Sequence, residues 1–262
     1  MLVDSHCHLD FDEFSDDLDD TMLRARQAGI SCFVTIGIRV REFARVRAVA
    51  EARPDVWCSV GTHPHYADEE RDVTTAALVE LAKHPKIVAI GETGLDRHLG
   101  DASWQAQLES FQVHIDAARE TQLPLVIHAV REDAAVEAIL RRESDRGPFP
   151  VVMHCFSGGA ALARTNLSLG HALSFSGLLT YPEHGALREL ARTIPDDRIL
   201  VETDAPSLPP ASLLGQRNEP AHLHHVVRLL AELRGVGADE IARRTSENFY
   251  RIFTRCTRPA VR

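Results

Sequence analysis

The sequence predicts a (β/α)8 TIM barrel built as a single domain over residues 1–262. Three observations carry that reading. Eight short runs are nearly continuous in apolar residues, as parallel strands buried on both faces are. Helix-like segments with clear stops alternate with them. The chain of 262 residues suits eight βα units, at roughly 30 residues per unit. A doubly wound open sheet is the competing architecture, because it shows the same alternation.

Taken in order, the first strand is Leu2 to His8, and an acidic stretch from Asp10 to Asp20 follows it. A helix is expected from Leu18 to Ala28, stopped by Gly29. Cys32 to Gly37 reads as a β-branched buried strand, Arg39 to Arg53 as an amphipathic helix ended by Pro54. Val56 to Gly61 is the third strand, and the helix Thr74 to His84 ends at Pro85. Ile87 to Glu92 is the fourth, followed by a long helix from Ser103 to Gln122 with Pro124 behind it. The fifth strand is Leu125 to His128, with a helix over Arg131 to Arg142. The sixth is Val151 to His154, with a helix over Gly159 to Leu169. The seventh is Ala172 to Ser176, with a helix over His184 to Thr193. The eighth is Ile199 to Asp204. A proline-rich loop, Ala205 to Asn218, then leads to helices over Pro220 to Arg234 and Ala238 to Thr254.

Barrel enzymes carry their chemistry at the C-terminal ends of the strands. Here those ends are His6 and His8, Glu92, His128, His154 and Asp204. One residue separates His6 from His8, so on extended backbone both imidazoles share a face while Cys7 takes the other. Each of these groups alone is an ordinary polar residue at a strand end. Six of them on five strands converge on one rim, and four imidazoles with two carboxylates suffice for two divalent ions. Mixed N/O ligands suit zinc, manganese or iron, and carboxylates with water hold magnesium.

A net charge of -9 argues against broad non-specific grip on nucleic acid, which needs lysine and arginine on phosphates. A nucleic acid held locally through metal remains compatible with it. Five cysteines without paired spacing read as reduced thiols, and with Asp4 and His6 where a leader would be apolar, a cytoplasmic protein is expected. No apolar run reaches the roughly 20 residues of a membrane span. No obligate protein partner is evident.

Several stretches together resemble a known family: Asp4-Ser-His-Cys-His-Leu-Asp10, Gly61-Thr-His-Pro-His65, Gly91-Glu-Thr-Gly-Leu-Asp96, Val126-Ile-His128, His154-Cys-Phe-Ser-Gly158, Leu200-Val-Glu-Thr-Asp-Ala-Pro206, Arg217-Asn-Glu-Pro-Ala221 and Asn248-Phe. In order and over nearly the whole chain, they are similar to the TatD family of metal-dependent deoxyribonucleases, within the amidohydrolase-like superfamily. The resemblance implies a hydrolase with DNA as substrate, of the 3'-5' exonuclease type, using two divalent ions (Mg, Mn or Zn). It implies that His6, His8, Glu92 and Asp204 hold one metal. Glu92 would bridge to a second, completed by His128 and His154. Glu92 and Asp204 would be the catalytic carboxylates, Asp204 steering water or taking its proton. Two departures concern substrate grip: Arg97-His98 stands where the family often has aromatics, and Val130 where it often has arginine, with Arg131 next.

Further substrate contacts are expected from His63 and His65, just past the third strand, although Pro64 could simply shape that loop. Ser157 precedes a helix whose amides could hold phosphate, or is a plain helix cap. Arg217 could close over substrate, while Asn218 before Glu219-Pro220 also reads as a cap. His222, His224 and His225 read as solvated, since no carboxylate-bearing strand end converges on them. Two other functions stay open: hydrolysis of another ester or amide, such as an aminoacyl ester or lactone, and a non-catalytic metal-holding protein.

Overall fold

The structure is a computed structural model that describes residues 1–98 and 102–258. Its strands are β1 (Leu2–Cys7), β2 (Ile30–Thr35), β3 (Val56–Val60), β4 (Ile87–Asp96), β5 (Leu125–Val130), β6 (Val151–Met153), β7 (Ala172–Phe175) and β8 (Ile199–Val201). They lie in one parallel sheet in chain order, β1 to β8. Asp204 N–H donates to His6 O at 2.9 Å and His8 N–H to Ala205 O at 2.7 Å, so the end of β8 meets the end of β1. The sheet is a nearly closed barrel, not a doubly wound layer.

Helices fill the connections: α1 (Leu18–Gln27), α2 (Phe43–Glu51), α3 (Thr75–Leu81), α4 (Trp104–Thr121), α5 (Asp133–Asp145), α6 (Ala160–Ser168), α7 (Gly185–Thr193), α8 (Leu223–Arg234) and α9 (Ala238–Ile252). Caps explain several boundaries. Ser103 accepts the Ala106 N–H at the start of α4, and Gln122 ends that helix in the left-handed region before Pro124. Thr74 caps α3 in the same way, and Gly235 ends α8 in the left-handed region. The expected helix from Arg39 begins instead as a short 3-10 turn, Val40–Glu42, whose first N–H groups are taken by the Glu70 carboxylate.

Side chains alternate between two cores, as period-two strands require. Val3, Cys32, Val34, Val88, Val126, Val152, Ala172 and Leu200 fill the barrel interior. Phe249 and Phe253 of the α9 segment, stacked at 4.5 Å, close its N-terminal mouth from below. The opposite parity, including Phe33, Ile127, Met153, Leu173 and Val201, packs outward under the helices.

Two bulges aim the polar ends. Between Asp4 and Cys7 three residues of β1 pass two of β2, Phe33 to Thr35. Between Ile90 and Thr93 three residues of β4 pass two of β5, Leu125 to Ile127. Such an extra residue re-aims the side chains beside it. At the second bulge Gly91 has φ +116°, and a Cβ there would lie 2.6 Å from Val126 O; only glycine fits. β4 therefore continues to Asp96 rather than stopping at Glu92, and Gly94 and Asp96 still pair with His128 and Val130. Conversely, β6 and β8 end before His154 and Asp204, which stand on the turns just beyond.

At the β8–β1 seam side chains supplement the ladder. The Asp4 carboxylate accepts the Thr203 N–H at 2.9 Å and its hydroxyl at 2.6 Å, and Ser5 Oγ donates to Val201 O at 3.0 Å. Burial pushes the Asp4 carboxyl up to about 7.

Candidate metal centre

A cavity of about 270 Å³ opens at the C-terminal mouth. His8, His63, His65, Glu92, His128, His154 and Asp204 line it, with Phe11, Ile38, Tyr66 and Ser207. Val126 and Leu200 face the interior, so by period two His128 and Glu202 do as well, and His154 follows Val152 in the same sense.

His6 and His8 meet with their Nε2 atoms 3.3 Å apart. His6 Nε2 lies 3.4 Å from Glu92 Oε2 and 3.5 Å from Asp204 Oδ1. His8 Nε2 lies 3.3 Å from Asp204 Oδ1 and 4.0 Å from Glu92 Oε2. Ligands about 2.1 Å from a tetrahedral ion stand about 3.4 Å apart, so these four atoms have the spacing of one coordination shell. The other Glu92 oxygen faces a second group. Oε1 is 3.0 Å from His128 Nδ1, 3.5 Å from His154 Nε2 and 3.5 Å from His63 Nε2. Glu92 thus divides its two oxygens between two sets of imidazoles.

The far nitrogen of each ring says which near nitrogen offers a lone pair. His8 Nδ1 faces the Ile36 carbonyl at 3.3 Å, and a carbonyl only accepts, so the proton sits on Nδ1 and Nε2 is free to ligate. His154 Nδ1 lies 2.8 Å from Glu202 Oε1 as an ion-pair contact, out of line for a hydrogen bond. His63 is the reverse of His8. Its Nδ1 accepts the His65 N–H at 3.3 Å, so its Nε2 carries the proton and points a donor at Glu92. His63 is a hydrogen-bond donor in this arrangement.

The electrostatics fit a cation. Glu92 and Glu202 are buried and Asp204 is half-buried beside them, and the ion-pair partners of all three are histidines. Buried carboxylates need compensation of that charge. Burial pulls His154 down, but Glu202, Glu92 and Asp204 outweigh it and hold the ring up at about 10. Burial pushes Asp204 up, but His154, His8 and His6 overcome it and keep the carboxyl below its ordinary value. His6 Nδ1 and Glu202 Oε2 are buried without hydrogen-bond partners.

Other expected contacts are distributed differently. His65 turns from Glu92 to Asp96, with Nε2 2.9 Å from Oδ2. Ser157 is exposed, outside the cavity lining, and Gly159 rather than Ser157 caps α6, its N–H held by Asp133 at 2.7 Å. Arg217 is held by both Asp17 oxygens at 2.7 Å over the Phe14 ring, also outside the lining. Neither is brought to the metal cluster. Asn218 is buried and donates to Thr203 O and Ser207 O, fastening the loop behind Asp204. Glu202 and Asp96 belong to the Leu200–Pro206 and Gly91–Asp96 stretches, and their parity and spacing beside Asp204 and Glu92 are the signal that places them at the site.

The family model for TatD related DNase matches residues 3–254. The chain belongs to that family. The metal-dependent hydrolase YabD of Bacillus subtilis is 35% identical over 253 residues, covering 97% of this chain and 99% of that protein. A 3'-5' ssDNA/RNA exonuclease TatD of Citrobacter rodentium is 34% identical, covering 96% and 97%. The crystal structure of YjjV, a TatD homologue of Escherichia coli K12, superposes with a TM-score of 0.89 at 33% identity, covering 97% and 98%. As a TatD-family member the chain is a metal-dependent hydrolase, and no described helix is long and apolar enough to cross a membrane.

Proposed function

We propose that this TatD-family hydrolase cleaves phosphodiester bonds of DNA from a 3' end, using two divalent ions. The division of Glu92 between two imidazole groups carries the reading. His6 Nε2, His8 Nε2, Glu92 Oε2 and Asp204 Oδ1 would hold one ion. Glu92 Oε1, His128 Nδ1 and His154 Nε2 would hold the other. Ions held by these residues would supply Lewis acidity toward phosphoryl oxygens and lower the pKa of water. Asp204 lines the cavity and would be the carboxylate placed to take a proton from water there. His63 directs an N–H donor into the same space, suited to a phosphoryl oxygen. The name of the Citrobacter relative and that of the family support a nucleic acid substrate. Five unpaired cysteines support a cytoplasmic setting.

One observation favours a second reading, hydrolysis of an aminoacyl ester or another carboxylic ester. Among the residues lining the cavity there is no lysine or arginine. Chelator-stripped protein, with and without Mg²⁺, Mn²⁺ or Zn²⁺, separates the two on end-labelled single-stranded DNA and on aminoacyl-tRNA. Metal-dependent release of mononucleotides is expected. Deacylation without nucleotide release would favour the second reading, and hydrolysis by the stripped protein would refute both.

A further inference from the structure

We infer that Asp96 is the positioning residue for the second ion: it fixes His128 so that Nδ1, not Nε2, faces Glu92. The inference rests on the two-ion reading above. Only one nitrogen of His128 can look into the cluster. Nδ1 stands 3.0 Å from Glu92 Oε1, and Nε2 stands 3.1 Å from Asp96 Oδ2. Asp96 Oδ2 accepts a proton held on Nε2, so an ion bound beside Glu92 would meet the Nδ1 lone pair. A ring free to rotate about its Cβ–Cγ bond would lose that orientation.

Asp96 is itself held from several sides. Its side chain is 2% exposed. Oδ1 accepts the His98 N–H at 2.7 Å, while Oδ2 takes both His128 and the His65 Nε2 at 2.9 Å. Gln107 of α4 grips its backbone twice, accepting the Asp96 N–H at 2.9 Å and donating to the Asp96 carbonyl at 2.8 Å. The carboxylate therefore rides on a strand end clamped by a helix, the rigid support that an orienting group needs. Extension of β4 past Glu92 to Asp96 is what brings it beside β5.

Because His65 shares the same oxygen, two variants separate orientation from loop packing. In Asp96→Asn the carboxamide keeps the volume but loses the charge and one acceptor. In His65→Gln the carboxylate remains wholly available to His128. Co²⁺ titration of each, followed by calorimetry and visible absorption, reads both ions separately. The expected result is two ions in the wild type and in His65→Gln. In Asp96→Asn the second ion should bind about 10–100-fold more weakly, with the first unchanged. Unchanged affinity for both ions in Asp96→Asn would overturn the inference. So would equal losses at both ions, which mark a merely structural role, or an equal defect in His65→Gln. Should Asp96→Asn fail to fold, ¹⁵N-histidine spectra of the Zn²⁺-loaded wild type decide: a proton on His128 Nε2 is expected, and one on Nδ1 overturns it. A wild type that takes up a single ion would refute the two-ion reading itself and the role of Asp96 with it.

Discussion

Glu92 and His114 show how much one side chain can decide. Glu92 is 2% exposed and faces two groups of imidazoles with its two oxygens. Glu92→Gln keeps the shape and removes the shared charge. It should weaken both ions and lower hydrolysis of single-stranded DNA by more than about 100-fold, beyond the usual cost of an outer-shell change. Metal content and turnover measured on the same sample check this; a variant with full metal and wild-type rate would contradict it. His114 on α4 is fully buried. Its Nδ1–H donates to Ser110 O at 2.7 Å and its Nε2 accepts the Thr62 N–H at 2.9 Å, an arrangement open only to the neutral ring. Burial lowers its pKa from 6.5 to about 4. The unfolded chain takes up that proton as pH falls through 6.5, the folded chain only near 4. Stability should therefore drop across that window, by up to about 3 kcal/mol from this group. Urea melts at pH 7 and pH 4.5 should show a shallower drop in His114→Gln than in the wild type; equal drops would exclude His114 as the cause.

At the scale of elements, the β-bulges matter more than strand length. The eight strands and nine α-helices among the described residues could be read from apolar runs and from proline and glycine stops. Convergence of His6, His8, Glu92, His128, His154 and Asp204 followed from the rule about strand ends. The bulges could not be read, because an extra residue leaves no mark in an apolar run. For that reason β4 was expected to stop at Glu92, and Asp96 had no place in the site. Ser157 and Arg217 were drawn toward substrate by their neighbours in sequence, whereas Gly159 and Asp17 settle where they sit. The tautomer of His8 and the charge beside His154 depend on partners distant in the chain, Ile36 O and Glu202, which no local pattern shows. α9 acts at the other end. Phe249 is 1% exposed in the barrel floor, so Phe249→Ala should cost about 3–5 kcal/mol. Metal affinity should not change, because the ligands stand at the opposite mouth. Denaturant melts with a parallel Co²⁺ titration test both halves of that expectation.

The molecule as a whole carries a net charge of -9. Three arginines around the mouth are already tied to carboxylates, Arg39 to Glu42 and Glu69, Arg97 to Glu132 and Arg217 to Asp17, while Arg131 just past β5 meets His98. The proposed nucleic acid substrate would then be held chiefly at the reacting phosphate. Few counterions are released on binding, so log KM for single-stranded DNA should rise with log salt with a slope of only about 1. A slope several times steeper would reveal a basic track along the strand. Gathering the ligands at one point rather than spreading cations over a face is how this barrel would reconcile its surface with the proposed phosphodiester substrate. Anomalous diffraction from crystals grown with Mn²⁺ tests that claim most directly. Two peaks are predicted on either side of Glu92, one among His6, His8 and Asp204 and one between His128 and His154. A single peak, or peaks that Glu92 does not touch, would contradict the account.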